Sequence, residues 1–238
     1  FYIMENDSKD NSEKILKKFM EGKKGSLYAG TIDWNKNIRA GMSTERGEYM
    51  CNLRNELKRL HGTLNSEYTI ILDTDVYFKP DCIFKLIRRL KMDDIVMSTC
   101  FGNDWNVIQN YGSSHYYDTF ALITLDGITH KETGNKCLFK GCKLCEPHLT
   151  KIGFLDKRYL DDENIIEVNS AFGGIVALKT EHYNKTDWEP TICEHHGFCE
   201  SIRKFGKIII SKDIETMMAK DYHDFLERSK LAVKVLGQ

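Results

Sequence analysis

The stretch "ILDTDVYF", residues 71–78, sets two carboxylates, Asp73 and Asp75, one residue apart behind the apolar run Tyr68–Leu72. An apolar strand that runs straight into two negative charges calls for a chemical reason. One is plain: the acids cap the next helix and face water. Asp81 already sits at that helix start, so capping accounts for at most one of them. A second is a divalent-cation site, because hard cations take oxygen ligands and can neutralise a departing diphosphate. A second constellation lies far along the chain in "CEHHGFCESIRKFGK", where Glu194 and His195 open a helical segment. Either side chain can take a proton from a hydroxyl; Glu194 is the first choice and His195 the second. The plain alternative is a solvated helix start, favoured by the helix dipole for the acid only. Gly173-Gly174 let backbone approach a ligand closely or simply make a turn. Asp118, next to Tyr116 and Tyr117, can hydrogen-bond a sugar hydroxyl while the aromatic rings stack on a pyranose face.

A further reading of the Asp73–Asp75 pair is a phosphatase of the haloacid dehalogenase type, with Asp73 as nucleophile. "IVMST" would then be its Ser/Thr strand end and Asp161-Asp162 its distal acid pair. That motif normally opens the fold, whereas here a strand and two helices precede it. A non-catalytic glycan-binding domain is the remaining alternative, and its mark would be a disabled motif.

Composition narrows the field. The chain has 238 residues, 41% hydrophobic and 29% charged, with 34 basic and 35 acidic side chains. That balance provides no basic field for nucleic acid. No apolar run is long enough to span a bilayer. Absence of repeats, linkers and low-complexity tracts points to one domain over 1–238. The opening on Phe1-Tyr2-Ile3-Met4, mid-strand, makes an excised piece of a longer polypeptide the expectation. Of eight cysteines, Cys51, Cys82 and Cys100 read as reduced core residues. Cys137, Cys142 and Cys145 leave zinc, disulfides and free thiols open. Asn184-Lys185-Thr186 is a glycosylation sequon if the compartment is secretory.

The elements that must position these groups follow from periodicity. Phe1–Met4 reads as a strand. A helix follows with Ile15, Leu16, Phe19 and Met20 on its apolar face. In a second helix Met50, Leu53, Leu57, Leu60 and Leu64 recur at three- and four-residue steps. After strand 68–72, Pro80 and Asp81 open a third helix with Ile83, Phe84, Ile87 and Leu90 inward. "DIVMSTCF" returns as a strand, and the short crossover implies a parallel pair with 68–72. Ligands bind at the carboxyl ends of such strands. Residues 119–124 are a further strand candidate, 125–165 a loop-rich region, and 208–210 a strand after Gly206.

Several segments, in order, resemble GT-A nucleotide-sugar glycosyltransferases. "YIMENDSKDNSEKIL" resembles the second strand and helix of that fold, which implies donor-binding roles for Glu5 and for Asp10 or Asp7. "ERGEYMCNLRNEL" resembles the helix before the D-x-D strand, where Arg54-Asn55 matches a pair that organises the donor site. "ILDTDVYFKPDCIFKLI" matches the D-x-D strand and its following helix. "YYDTFAL" and "NSAFGGIVALK" resemble segments lining donor sugar and acceptor. The order is most similar to the fungal capsule-associated mannosyltransferases and related eukaryotic or viral enzymes, over most of residues 1–211. The resemblance implies an α/β, Rossmann-like, mostly parallel central sheet flanked by helices, with its first strand upstream of Phe1. It implies transfer of a sugar from a UDP- or GDP-sugar to a glycan or glycoprotein hydroxyl with Mn²⁺ or Mg²⁺. Asp73 and Asp75 would hold the metal, completed by His223; Arg54, Asp73, Gly173 and Gly174 would bind the donor, and Tyr117 and Asp118 the acceptor. Glu194, Phe198 and Gly206 match the catalytic segment, but His195 stands where such enzymes carry Asp, so inversion or retention stays open.

Overall fold

The structure is a computed structural model that describes residues 1–6, 8–30, 44–104, 116, 118, 120–127 and 165–218. Tyr117, His223, Cys137, Cys142, Cys145, Asp161 and Asp162 lie outside them. β1 (Tyr2–Asn6), α1 (Ser12–Met20) and β2 (Ser26–Gly30) form a strand–helix–strand unit, with Tyr2 opposite Ser26 in a parallel ladder. The second strand of this pair, "SLYAG", is too short and mixed to show periodicity in the sequence. α2 (Thr44–His61) leads to β3 (Tyr68–Leu72), β4 (Val76–Phe78), α3 (Cys82–Arg89) and β5 (Ile95–Asp104). After β6 (Ile165–Val168) and β7 (Ile175–Lys179) come α4 (Thr180–Asn184), α5 (Glu194–Ile202), a 3-10 turn and β8 (Lys207–Met218). Among the described residues no helix is long and apolar enough to cross a membrane.

The main sheet runs β3-β7-β5-β8-β4, with β6 also paired to β8. Its class is α/β, as expected, but its pairing departs from the mostly parallel expectation. β7 is antiparallel to both β3 and β5, β4 and β6 are antiparallel to β8, and only β5–β8 is parallel within this sheet. β3 and β5 point the same way without touching. The reason lies in β7: Ile175, Val176, Ala177 and Leu178 are all fully buried, the pattern of a strand covered on both faces. It takes the place between β5 and β3, so among the described residues β3 pairs with β7 alone. Among the described residues the D-x-D turn thus leaves a strand that is paired on one side, by β7.

The sheet separates two cores, and alternation sorts the side chains between them. Val176, Leu178, Ile208 and Ile210 face one cluster with Phe101, Phe172, Trp188, Phe198 and Ile202. Ile175, Ala177 and Ile209 face the other, with Cys82, Leu86, Leu90 and Cys100. Cys51, Cys82 and Cys100 are buried free thiols, as expected. Of the α3 residues expected inward, Leu90 is buried and Ile87 packs against this core, but Phe84 is not inward and Cys82 and Leu86 are. Cys82, Leu86 and Leu90 are buried at four-residue steps, whereas Phe84 is 75% exposed. At 100° per residue Phe84 lies on the far side of the helix from Cys82 and Leu86. α1 has no buried residue among its nine, and its Ile15 and Phe19 remain exposed. Residues 119–124 do not form a strand in the described part; a turn covers Phe120–Ala121, and Ile123 makes a single bridge to Ser170.

Candidate active site

α2 positions the centre of the site. Its buried stripe is not the leucine row but Gly47 and Cys51, continued by Arg54, Asn55 and Lys58 one turn at a time. At Gly47 the helix comes so close to the chain before α5 that a Cβ would lie 1.9 Å from the Thr191 carbonyl oxygen. Asn55 holds both backbone groups of Trp188: its amide donates to the carbonyl (2.8 Å) and accepts from the N–H (2.9 Å). Lys58 donates to the Thr186 carbonyl and to Asp187. The Trp188 segment is thereby pinned along α2.

Trp188 and Phe172 flank the Arg54 guanidinium, at 4.6 and 5.3 Å from the ring centres. The guanidinium bridges two acids that are distant in sequence, Asp73 after β3 and Glu194 at the start of α5, at 3.5 Å from each. Glu194 is almost closed off, with 6% of its side chain exposed, while Asp73 keeps 33% and sits at the open side. His195 stacks on Phe172 at 4.0 Å and sets its Nε2 3.5 Å from the same Glu194 oxygen. A solvated helix start is therefore ruled out for Glu194 and His195. Arg54 Nε and His195 Nδ1 are buried with no hydrogen-bond partner among the described residues, an arrangement that folded proteins rarely tolerate.

Electrostatics follow from this closeness. Burial pushes Asp73 up to about 6, against the pull of Arg54 and with the push of Asp75 and Glu194. Burial also raises Asp75. Burial drives His195 down to about 3, so it is a neutral ring at pH 7 and a weak proton acceptor. Burial would raise Glu194 as well, yet the charges of His195 and Arg54 outweigh it and its carboxyl lies below the ordinary range. With His195 neutral, the cations left to hold Glu194 down at physiological pH are Arg54 and, more weakly, Arg46. Glu194 thus stands as the ionised group, and His195 as its neighbour.

Gly173 and Gly174 adopt positive φ, +66° and +83°, between β6 and β7. The Gly174 carbonyl accepts the Asp73 N–H at 2.9 Å, which joins this turn to the D-x-D turn. Asp118 accepts the Gly173 N–H at 2.9 Å. Burial raises its carboxyl to about 7.

The structure therefore brings Arg54, Asp73, Asp118, Gly173, Gly174, Glu194 and His195 together, with Asp75 exposed on the same turn. Two expected donor residues are engaged elsewhere. Glu5, at the end of β1, accepts the Ser8 N–H, and Asp10 accepts the Ser12 N–H at the exposed start of α1. Hydrogen bonds from Ser12 pull Asp10 down. Neither acid has a bond to the Arg54 cluster among the described residues. Sequence reasoning missed Trp188 and Phe172; the only trace is an aromatic in "TDWEP" just ahead of Glu194.

Among the described residues no three His, Cys, Asp or Glu side chains surround a common point. A two-carboxylate turn still fits Mg²⁺ or Mn²⁺, since Mg²⁺ commonly takes one or two carboxylates and fills its shell with substrate phosphate and water.

The profile of the family described as Cryptococcal mannosyltransferase 1 matches residues 1–219. No curated protein sequence matches the chain. Among solved structures, GalNAc-T7 with UDP, GalNAc and Mn2+ aligns at a TM-score of 0.46 and 11% identity, covering 89% of this chain and 36% of that one. The family match runs from β1 to the end of β8 and takes in every described residue of the Arg54 cluster, so the chain belongs to the glycosyltransferase family described as Cryptococcal mannosyltransferase 1.

Proposed function

We propose that this chain moves a sugar, a mannosyl group being the first to test, from a nucleoside diphosphate sugar to a hydroxyl of a glycan or glycoprotein. The reading takes a GT-A arrangement with Mn²⁺ or Mg²⁺ at the D-x-D turn. One observation carries it: Arg54 bridges Asp73 and Glu194, so the D-x-D turn and the start of α5 meet at one guanidinium. Asp75, exposed on the turn, and Asp73 beside it would hold the metal, which supplies positive charge to the departing diphosphate. Arg54 keeps Asp73 ionised despite burial and adds a second positive charge next to the leaving group. Glu194, ionised at neutral pH, accepts the acceptor's proton; a small movement of Arg54 or His195 would free the oxygen they share. His195, neutral and stacked, holds the orientation of that carboxylate. The unpaired Arg54 Nε and His195 Nδ1 are further groups for a polar ligand to meet. His223 as a third metal ligand, Tyr117 as an acceptor contact, and Glu5 and Asp10 as donor contacts remain part of this proposal.

The test is a thermal-shift panel of UDP and GDP, each with and without Mn²⁺, on the 238-residue chain and on Asp75→Ala. A ligand at a hundredfold excess over its dissociation constant stabilises the folded form by about 2.7 kcal/mol. The chain should show a Mn²⁺-dependent rise with one nucleotide, and Asp75→Ala should lose it while melting normally alone. An Asp75→Ala variant that keeps the full Mn²⁺-dependent rise and turnover rejects the assignment.

A further inference from the structure

The Phe172–Gly174 turn is held at nearly every polar backbone atom. Gly173 N–H donates to Asp118 Oδ2 (2.9 Å) and Phe172 N–H to the Tyr116 hydroxyl (3.2 Å). Thr99 Oγ1 donates to the carbonyls of Phe172 and Ile175. The Gly173 carbonyl accepts from Thr216 Oγ1 (3.1 Å) and from Cys100 Sγ (2.9 Å). Thr99, Cys100, Tyr116 and Thr216 are all fully buried. The one carbonyl aimed out of this block is that of Gly174, and it accepts the Asp73 N–H at 2.9 Å. A side chain on Gly173 would lie 2.6 Å from the Cys100 carbonyl oxygen, so the turn is pressed against the middle of β5, where its register shifts.

Asp118 is the acidic member of the cradle; burial raises its carboxyl to about 7, and in its ionised form it holds a backbone N–H more strongly than a neutral oxygen does. It accepts the Gly173 N–H, and the backbone at Gly173 and Ala121 draws its carboxyl down against burial, so its carboxylate is turned to the chain itself. Its own segment is fastened to the strand leading into the turn. Ile123 and Ser170 exchange backbone bonds, and Ser170 Oγ donates to the Ala121 carbonyl.

We propose that Asp118 is a positioning residue for the D-x-D turn rather than an acceptor contact. It fixes the Phe172–Gly174 turn, and through the Gly174 carbonyl it sets the backbone of Asp73. This rests on the proposed function only where nucleotide binding is read; the backbone coupling stands apart from it.

Two readouts test it on Asp118→Asn, which keeps the shape but leaves one oxygen acceptor in place of two. The first is amide hydrogen exchange at single residues, without ligand. Asp73 and Gly173 amides should exchange at least tenfold faster than in the unaltered chain, with the Ile70 amide in β3 unchanged. The second is UDP or GDP affinity with Mn²⁺, expected to weaken about tenfold with the acceptor KM unmoved. Asp118→Glu, which keeps the charge, should recover part of both, and it takes over the exchange test should Asp118→Asn not fold, with Asp73 protection then expected between the two extremes. Unchanged exchange at Asp73 overturns the inference. So does a raised acceptor KM with unaltered nucleotide affinity. If the unaltered chain binds neither nucleotide with Mn²⁺, the proposed function fails, and the exchange result alone still decides the role of Asp118.

Discussion

Replacing Arg54 by Met keeps a long apolar stem between Trp188 and Phe172 and removes the charge that Asp73 and Glu194 share. At 3.5 Å from each oxygen, one such pair is worth about 5 kcal/mol at an effective dielectric of about 20. Desolvation of the guanidinium offsets much of this. Removing one partner of a buried pair nets about 3–5 kcal/mol, because a charge is left behind uncompensated. Asp73 is open enough to be screened by water, so the cost belongs at the low end, about 3 kcal/mol and mostly from Glu194. For a chain of this size that is a drop of roughly 6–12 °C in melting temperature. The pH dependence has a definite sign. Without Arg54 both carboxyls rise above their unfolded values, Asp73 from a position that burial already places at about 6. The folded variant then binds more protons than the unfolded chain between about pH 4 and 7, so its stability falls as pH rises through that window. The gap to the unaltered chain should be wide at pH 8 and narrow at pH 5. Adding Glu194→Gln removes the stranded charge, so the double variant should lose less than the two single losses together. Circular dichroism melts at both pH values read all of this. Overlapping melts at pH 8, or a gap that does not close at pH 5, refute the claim that Arg54 neutralises these two acids.

Two further perturbations follow from the local geometry. Gly173→Ala combines a left-handed φ of +66° with a clash against the Cys100 backbone, whereas Gly22→Ala meets a similar φ of +70° with nothing within 4 Å; urea titration should find about 1 kcal/mol lost at Gly22 and more than about 2 kcal/mol at Gly173. Asn184 exchanges both amide hydrogen bonds with the backbone of Leu64, at 2.9 and 3.2 Å, so Asn184→Ala should cost about 1–2 kcal/mol by the same titration; the sequon asparagine is thus a structural clamp between the loop ahead of β3 and the end of α4, and a variant as stable as the unaltered chain would contradict that.

What is legible in the sequence is local. The apolar runs 68–72 and 95–101 and the helix-then-strand segment from Glu194 fall where periodicity puts them, and the close spacing of Asp73 and Asp75 behind an apolar run marks that turn as a place for chemistry. Sheet order is not legible. The neighbour of β3 is β7, which enters from the far half of the chain, and no local pattern in either strand names the other. α3 shows a finer limit: Phe84 is large and apolar, so hydropathy turns it inward, yet Cys82 and Leu86 fix the phase from the opposite side. Asp118 shows another, since its residue type is the same whether it faces a sugar or a glycine N–H.

α2 carries the more general point. Its leucine row is half-buried, while the row that meets the site is Gly47, Cys51, Arg54, Asn55 and Lys58, small and polar at helical spacing. Hydropathy assigns that row to water because it counts apolar atoms. The row faces backbone carbonyls, a tryptophan ring and two carboxylates instead, and each polar residue on it has a distinct partner: Arg54 the acids, Asn55 the Trp188 peptide, Lys58 the Thr186 carbonyl. A small residue followed at helical steps by donors, on a helix whose other row is apolar, is what a helix wedged between a core and a polar site must look like. Its small residues admit a neighbouring backbone, and its donors then satisfy the carbonyls that the close approach cuts off from water. The Arg54-Asn55 pair is thus one device rather than two residues. Asn55 fixes the backbone that carries Trp188, Trp188 confines the guanidinium, and the guanidinium joins the D-x-D turn to the start of α5.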